Sequence, residues 1–489
     1  MKKYIIHNLF ILLCFLLSAC NDWLDVKPNS QTELDEMFSS YDGFKSALTG
    51  CYIKLKDRSL YGENLTMSHI ESLAQLWALQ ENSQRQADLS LSKYDYQSIY
   101  AKEAITEIYS GFYNVIVQAN TIIEHIETNG SHINDSVSFA LIKGETYAIR
   151  ALCHLDILRI FGQMPENPIR KVRLPYAEEV SIKNHPAYYD YDTFCAKIEK
   201  DLSFAETALE KKDPVIKQGI TYNNNEDDLH NYRGLDLNYY AVKALQSRFY
   251  LYTNQPDKAY AAARVIYDAM PVKLSGLEDL NKGYNALPSE CLFALSNNEL
   301  IDYSIDVLGY GSQQLQPSQL YITSDMLSKL YQGVDISSHN RYALSWNKTT
   351  PDILGENRPV VTKYYYNTST SYAPEVYLTK LQLVPIIRMS EIYLILMETT
   401  RDLEEANALY TDYMMSHNVG KIDQFTSLEK VKTFVIDEIR REFYAEGQMF
   451  YTYKRHGIRR MLFANEDIGE EQFIVPLPDT EYNPAELNR

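Results

Sequence analysis

Aromatic side chains flanked by amides are the groups in this sequence best suited to contact a ligand. Trp77 is followed closely by Asn82, and Trp346 stands directly before Asn347. A ring offers a flat apolar face and an amide offers directional hydrogen bonds, which suits amphipathic ligands such as sugars or peptides. Tyrosine supplies both properties, and the chain has 40 tyrosines against 19 glycines. These residue types predict binding rather than bond-making chemistry.

The aromatic and amide residues lie in two stretches, 58–100 and 271–384, which are rich in glycine, proline and short β-favouring runs. Irregular segments on a rigid scaffold are where binding function tends to sit. We therefore predict that the ligand contacts come from these stretches: Trp77, Asn82, Tyr94, Tyr96, Tyr310, Gln313, Trp346 and Asn347. A core-packing role is an equally good interpretation of Trp77.

Catalytic motifs are missing from the sequence. It contains no nucleophile elbow, phosphate-binding glycine loop, zinc-protease motif or dinucleotide fingerprint. The ten histidines show no metal-ligand spacing, and 65 acidic residues do not reveal the carboxylate separation that a glycosidase needs. We expect a protein that is not an enzyme, with no catalytic residues, no cofactor and no metal site.

An acidic run at 223–228, Asn-Asn-Asn-Glu-Asp-Asp, offers oxygen ligands that calcium could use. It lacks the spacing of an EF-hand loop, so a solvated acidic loop is the favoured interpretation and a structural calcium ion the alternative.

The overall charge of the chain excludes one class of partner. The formal net charge is −18 at pH 7, and a nucleic-acid backbone would be repelled by it. With 45% hydrophobic and 23% charged residues, the chain can bury a large core.

The first 19 residues have the pattern of an export signal. Lys2 and Lys3 precede an unbroken apolar run of nine residues, 9–17, and then Ser18-Ala19-Cys20. A helix of nine residues is about 14 Å long, too short to cross a bilayer, which favours a cleaved secretory signal. The Leu-Ser-Ala-Cys sequence resembles a bacterial lipobox, so Cys20 is predicted to carry the lipid anchor.

Four cysteines remain in the predicted mature chain: Cys51, Cys153, Cys195 and Cys291. They are widely spaced and form no C-x-x-C motif, so zinc and redox motifs are absent. An exported protein could form disulfides, but we favour buried free thiols because cysteine packs well in helical cores.

Apolar periodicity predicts a mostly helical chain. After an extended leader at 20–42, helices are predicted at 43–57, 101–128, 137–161, 191–211, 237–253, 256–270, 386–400, 402–417 and 428–447. Successive helices form hairpins similar to tetratricopeptide units, which are stable only when stacked. We predict one domain over 43–489, with a helical scaffold at about 43–57, 101–270 and 385–447 and the two irregular stretches as its ligand face.

Five blocks of the sequence resemble the SusD/RagB family of surface lipoproteins. They are Cys-Asn-Asp-Trp-Leu-Asp at 20–25, the 144–165 segment ending Leu-Arg-Ile-Phe-Gly-Gln-Met-Pro, Arg-Met-Ser-Glu-Ile-Tyr-Leu at 388–394, Glu-Ile-Arg-Arg-Glu-Phe-Tyr-Ala-Glu-Gly at 438–447, and Val-Pro-Leu-Pro at 475–478 with Asn483-Pro484. Ile439 departs from the family, which commonly has arginine there.

The resemblance implies a fold of tetratricopeptide-like hairpins that carries an irregular binding face. It also implies a lipid-anchored protein on the surface of a Gram-negative outer membrane, acting as the partner of a SusC-like TonB-dependent transporter. Glycan capture is the function most often found in this family and peptide capture is the alternative; a surface glycosidase is the least favoured hypothesis.

Overall fold

The structure is a computed structural model, and it describes residues 29–181, 185–220, 228–231, 233–366, 371 and 380–481. The predicted signal, the predicted lipid-bearing Cys20, residues 223–227 of the acidic run and the Asn483-Pro484 tail lie outside these residues.

Helices dominate the described chain. In order they are α1 Asn29–Met37, α2 Tyr41–Leu55, α3 His69–Leu73, α4 Gln86–Ser92, α5 Ile99–Asn129, α6 Ser136–Phe161, α7 Tyr191–Leu209, α8 Val215–Gln218, α9 Tyr239–Tyr252, α10 Pro256–Ala269, α11 Leu277–Asn281, α12 Leu300–Leu308, α13 Ser324–Leu330, α14 Asn340–Leu344, α15 Met389–Thr399, α16 Leu403–Ser416, α17 Leu428–Glu442, α18 Met449–His456 and α19 Glu470–Phe473. The strands are β1 Leu174–Pro175, β2 Tyr188–Tyr189, β3 Cys291–Ser296, β4 Trp346–Pro351, β5 Asn357–Val361 and β6 Leu383–Arg388.

The predicted helical scaffold is confirmed, because every predicted helix has a counterpart. The first long hairpin, α5 and α6, forms as its apolar pattern requires. Ile105, Ile108 and Phe112 lie buried on one face of α5. Asp135 caps α6 by accepting a hydrogen bond from the Ser138 N–H at 2.7 Å. Helices α6 and α7 pack against each other, as do α9 and α10, and α15 packs against both α16 and α17.

Two local predictions about the scaffold are wrong. The expected extended leader contains α1, which docks through the Phe38 ring that follows it; that ring stacks on His125 of α5 with centroids 4.2 Å apart. Tertiary packing of this kind overrides a polar local sequence. Helix α17 ends at Glu442 instead of 447, since Ala445 and Gly447 both have positive φ and cannot continue a helix.

Three two-stranded antiparallel sheets interrupt the helices. β3 pairs with β6 and β4 pairs with β5, so that the second irregular stretch is folded back upon itself. The β3–β6 pair is almost fully buried, with every residue of β6 inaccessible to solvent. It therefore anchors the irregular face to the helical scaffold.

Buried ion pairs hold the scaffold where the sequence places its arginines. Arg150 of α6 donates to both carboxylate oxygens of Asp201 on α7, at 2.7 and 2.6 Å. Arg388 at the end of β6 pairs with Glu290 and Glu442, and all three side chains are buried. Arg159 of α6 pairs with Asp156 in the same helix, and both side chains are buried.

The four cysteines are free and buried, as favoured from the sequence. Burial raises the pKa of the Cys51 thiol to about 12, which keeps it protonated and unreactive. Within the described ranges, no helix is both long enough and apolar enough to span a bilayer.

Candidate functional site

The two irregular stretches meet through backbone hydrogen bonds. The Ala78 N–H donates to the Tyr321 carbonyl at 2.9 Å, and the Gln84 N–H donates to the Pro317 carbonyl at 3.0 Å. On the other side, the Leu315 N–H donates to the Pro351 carbonyl at 2.8 Å. Three segments, 78–84, 315–321 and the β4–β5 turn, are thereby fixed side by side.

A cleft lies between these three segments, with about 450 Å³ of space that includes its open mouth. It combines exposed amides, a tyrosine ring and aliphatic side chains. Its lining residues are Ala78, Leu79, Gln80, Asn82, Ser83, Leu315, Gln316, Pro317, Gln319, Tyr321, Asp352, Ile353 and Leu354.

Three hydrogen-bonding side chains that line the cleft have no partner among the described residues. Gln80 and Asn82 are exposed, and neither side-chain amide hydrogen-bonds to any residue that the structure describes. The hydroxyl of Tyr321 also has no partner within the described ranges, although its ring is half-buried in the cleft. Desolvation raises the pKa of Tyr321, so the hydroxyl is neutral and can both donate and accept. The cleft thus offers neutral polar groups around one aromatic ring.

The β4–β5 turn is a rigid wall of the cleft. The Asp352 carboxylate accepts hydrogen bonds from the backbone N–H groups of Leu354 and Glu356 at 2.8 and 3.0 Å, and from Arg358 Nε at 2.8 Å. Desolvation works to raise the pKa of Asp352, but these bonds outweigh it and lower the pKa. Leu354 at the tip of the turn is 75% exposed and presents an apolar surface to the mouth.

The two tryptophans predicted to stack on a ligand are instead buried, each only 5% exposed. Trp77 and Trp346 both pack edge-on against Tyr444, with centroids 5.2 and 5.0 Å away. Their indole N–H groups are satisfied inside the protein, by the Met67 carbonyl at 2.9 Å and the Tyr331 hydroxyl at 3.3 Å. Neither presents a ring face to a ligand, so the predicted direct contact is wrong for Trp346, and for Trp77 the structure shows the alternative, core packing.

Both tryptophans nevertheless support the walls of the cleft. Trp77 directly precedes the 78–84 segment, and Trp346 is the first residue of β4, which leads to the β4–β5 turn. Because both rings pack on Tyr444, one aromatic stack fixes the roots of two cleft walls. They are positioning residues rather than contacts.

Tyr94 and Tyr96 also make internal contacts and do not line the cleft. Their hydroxyls donate to the carbonyls of Leu73 at 2.9 Å and Gln472 at 2.6 Å. Desolvation raises the pKa of both tyrosines, as is expected for rings held within the fold.

Tyr310 and Gln313 lie at the start of the loop that ends at Tyr321. Tyr310 packs on Tyr365 with ring centroids 3.8 Å apart, and both rings are half-exposed, while Gln313 is exposed. Asn347 lies in β4, and its side-chain oxygen is already used by Thr349. Tyr310 and Gln313 therefore remain predicted contacts beside the cleft, whereas Asn347 has a local structural role.

Of the residues predicted from the sequence, Asn82 lines the cleft, whereas Tyr321, Gln80, Gln316 and Leu354 line it without having been predicted. Gln80 stands two residues before Asn82 in the same polar run, which is a signal that could have identified it. Tyr321 has no such signal, because its place in the cleft depends on pairing with Ala78 more than 240 residues earlier.

One group of described side chains has metal-ligand geometry: His417, Glu438 and Glu442. The Glu442 carboxylate already accepts from Arg341 Nε at 3.2 Å and pairs with Arg388, and Glu438 accepts from Arg441 Nε at 2.8 Å. A divalent ion there would lie among three guanidinium groups, so the residues do not fit a metal site.

Comparison with known proteins agrees with the fold. Residues 22–218 match the SusD-like family described as "Starch-binding associating with outer membrane". A curated relative, SusD-like protein P25 of Formosa agariphila, is 23% identical over 225 residues, which cover 45% of this chain and 40% of that protein.

Solved structures show the same architecture along nearly the whole chain. A SusD superfamily protein from Bacteroides thetaiotaomicron superimposes with a TM-score of 0.67 at 20% identity, covering 91% of this chain and 98% of the other. A SusD-like carbohydrate binding protein from Bacteroides vulgatus gives 0.64 at 15% identity, covering 85% and 83%. The fold is thus the helical SusD-type fold. The matched segment and the fold both indicate a likeness to the SusD-like family.

Proposed function

We propose that this protein is a non-catalytic surface lipoprotein that captures a glycan in the cleft between residues 78–84, 315–321 and the β4–β5 turn. The observation that carries the proposal is the set of unused amides, Gln80 and Asn82, around the half-buried ring of Tyr321. A sugar ring stacks its apolar face on an aromatic ring while amides bond its hydroxyls. The family's description as starch-binding supports a glycan over a peptide.

We further propose that Cys20 anchors the protein to the outer membrane and that the captured glycan passes to a partner TonB-dependent transporter. The support for the anchor is the signal and lipobox at 1–20, and the support for the partner is the match of residues 22–218 to the SusD-like family, described as associating with the outer membrane. Exchanging Cys20 for serine should release the protein from the membrane fraction, whereas the wild type should stay there and co-purify with a transporter after mild solubilisation.

A glycan panel tests the capture role, with affinity gel electrophoresis for screening and calorimetry for affinity. For a bound glycan, Tyr321→Ala should weaken binding by about tenfold or more, because stacking and one hydroxyl contact are lost together. Asn82→Ala should weaken it by a smaller factor. Tyr100→Ala is the matched control, since Tyr100 is exposed on α5 and does not line the cleft.

Three results would count against the proposal: no glycan binds, the Tyr321 and Tyr100 variants bind alike, or co-purified peptides occupy the cleft. Shortening of the glycan during incubation would instead reveal an enzyme. Chromatography of the glycan before and after incubation measures this directly.

A further inference from the structure

Every charged side chain that the structure describes at the rim of the cleft is already paired. Arg358 donates from Nε to Asp352 at 2.8 Å and from Nη2 to Glu356. Glu81, which stands between the two free amides of the 78–84 segment, pairs with Lys93. The rim therefore carries three carboxylates against two cations, an excess of negative charge.

Arg358 is the cation best placed to attract an anionic ligand, but it is not available. Its side chain is only 14% exposed, and both of its partners are carboxylates. A ligand carboxylate or sulfate would have to displace Asp352, whose own oxygens also hold the β4–β5 turn. Displacement would unfold the wall that shapes the cleft.

The groups that are free to bind are all uncharged. They are the amides of Gln80 and Asn82 and the hydroxyl of Tyr321, whose pKa is raised by desolvation. The chain as a whole carries a formal charge of −18, which adds long-range repulsion of polyanions. The uncharged side chains and the negative field of the chain both disfavour an anionic ligand.

We infer that the cleft selects uncharged glycans and rejects those that carry carboxylate or sulfate groups. The inference rests on the proposed capture of a glycan at this cleft and names the class of glycan captured. It follows from the pairing of Arg358 and the neutrality of the free groups, and the described part of the rim offers no unpaired cation that would favour a charged ligand.

The test compares one neutral soluble polysaccharide that the protein binds with a carboxymethylated derivative of the same backbone. Calorimetry should give at least about tenfold weaker binding of the derivative, because like charges face each other across the contact. Raising salt from about 20 to 150 mM should strengthen binding of the derivative by screening the repulsion and leave the neutral polymer unchanged.

The inference is overturned if the derivative binds as tightly as the neutral polymer, or if its affinity falls as salt rises. Failure of the proposed function looks different, because then no neutral polysaccharide binds in a manner sensitive to Tyr321→Ala, and the inference falls with it.

A charge variant gives an independent reading. Glu356→Gln removes one rim carboxylate and loosens Arg358, so it should improve binding of the carboxymethylated polymer several-fold relative to binding of the neutral polymer. Glu107→Gln makes the same charge change at an exposed position of α5 and should alter neither. Equal effects of Glu356→Gln and Glu107→Gln would show that the charge at the rim does not set the selectivity, and would overturn the inference.

Discussion

Arg388 donates hydrogen bonds to both carboxylate oxygens of Glu446, at 3.0 Å from Nε and 2.8 Å from Nη2. Arg388 ends β6 and Glu446 lies in the turn after α17, and both side chains are buried. The fork joins two of the sequence blocks that resemble the family, the one at 388–394 and the one at 438–447. These blocks therefore identify a buried ion pair that locks the scaffold.

Removing the guanidinium group of Arg388 should lower the free energy of unfolding substantially. Arg388→Met leaves the buried carboxylates of Glu290, Glu442 and Glu446 without their shared cation. Breaking a buried ion pair from one side typically costs about 3–5 kcal/mol, so the free energy of unfolding in urea should fall by at least that much. Arg401→Met, which breaks the exposed pair with Asp257, should change it little. Similar losses in both variants would refute the lock.

Gly447 is predicted to tolerate no side chain. Its φ is +69°, and a Cβ there would lie 1.8 Å from the Leu65 carbonyl oxygen. Gly457 has a similar φ of +62° but open space around it. Gly457→Ala should therefore cost only the backbone strain of about 1 kcal/mol, while Gly447→Ala should lower the melting temperature much further. Equal melting temperatures would show that the close approach does not matter.

Glu71 makes stability depend on pH. Desolvation raises its pKa to about 8, because the backbone hydrogen bond from Gly447 at 2.7 Å does not fully compensate for burial. The folded state holds this proton after the unfolded chain has released it, so stability should decline as pH rises from about 4.5 to about 8.

Glu71→Gln removes that ionisation while keeping a group of similar shape. The decline in the free energy of unfolding between pH 5 and 8 should become shallower in the variant, as measured by urea titration at each pH. Glu107→Gln on the surface of α5 serves as the control. Parallel pH profiles for the Glu71 variant and the wild type would contradict the assignment.

Lys454 caps the end of α6. Its ammonium donates to the carbonyls of Arg159, Ile160 and Gly162 at 3.0, 3.2 and 2.7 Å, which satisfies groups that a helix end leaves open. Lys454→Met should lower the free energy of unfolding by about 3 kcal/mol, since three buried carbonyls lose their hydrogen-bond donor. Lys282→Met at an exposed site is the comparison, and an equally small effect of both would exclude the capping role.

The buried tryptophans should affect folding more than affinity. Trp77→Phe and Trp346→Phe each loosen packing on Tyr444 and remove an indole hydrogen bond, so unfolding should become easier by about 1–3 kcal/mol. Tyr321→Ala should do the reverse, with weak effects on stability and strong effects on glycan binding. Paired melting and calorimetry data separate the two roles, and a tryptophan variant that folds normally but no longer binds would restore the direct contact.

The scaffold was predictable because its signals are local. Apolar spacing marks α5, and the capping residue Asp135, three residues before Ser138, marks the start of α6. The cleft was only partly predictable. The two irregular stretches were identified by composition, yet which side chains face outward depends on pairings such as that of Ala78 with Tyr321. Trp77 and Trp346 were misassigned because a large aromatic beside amides has the same local pattern at the surface and in the core.

Asp352 holds the β4–β5 turn through hydrogen bonds. The outermost residues of the turn, Ile353 and Leu354, are exposed to solvent and line the mouth of the cleft. Changes at this tip leave the turn's own hydrogen bonds intact, since those bonds use backbone N–H groups and Asp352. Substitutions at Ile353 and Leu354 could therefore change the ligand preference of the cleft without altering the helical scaffold.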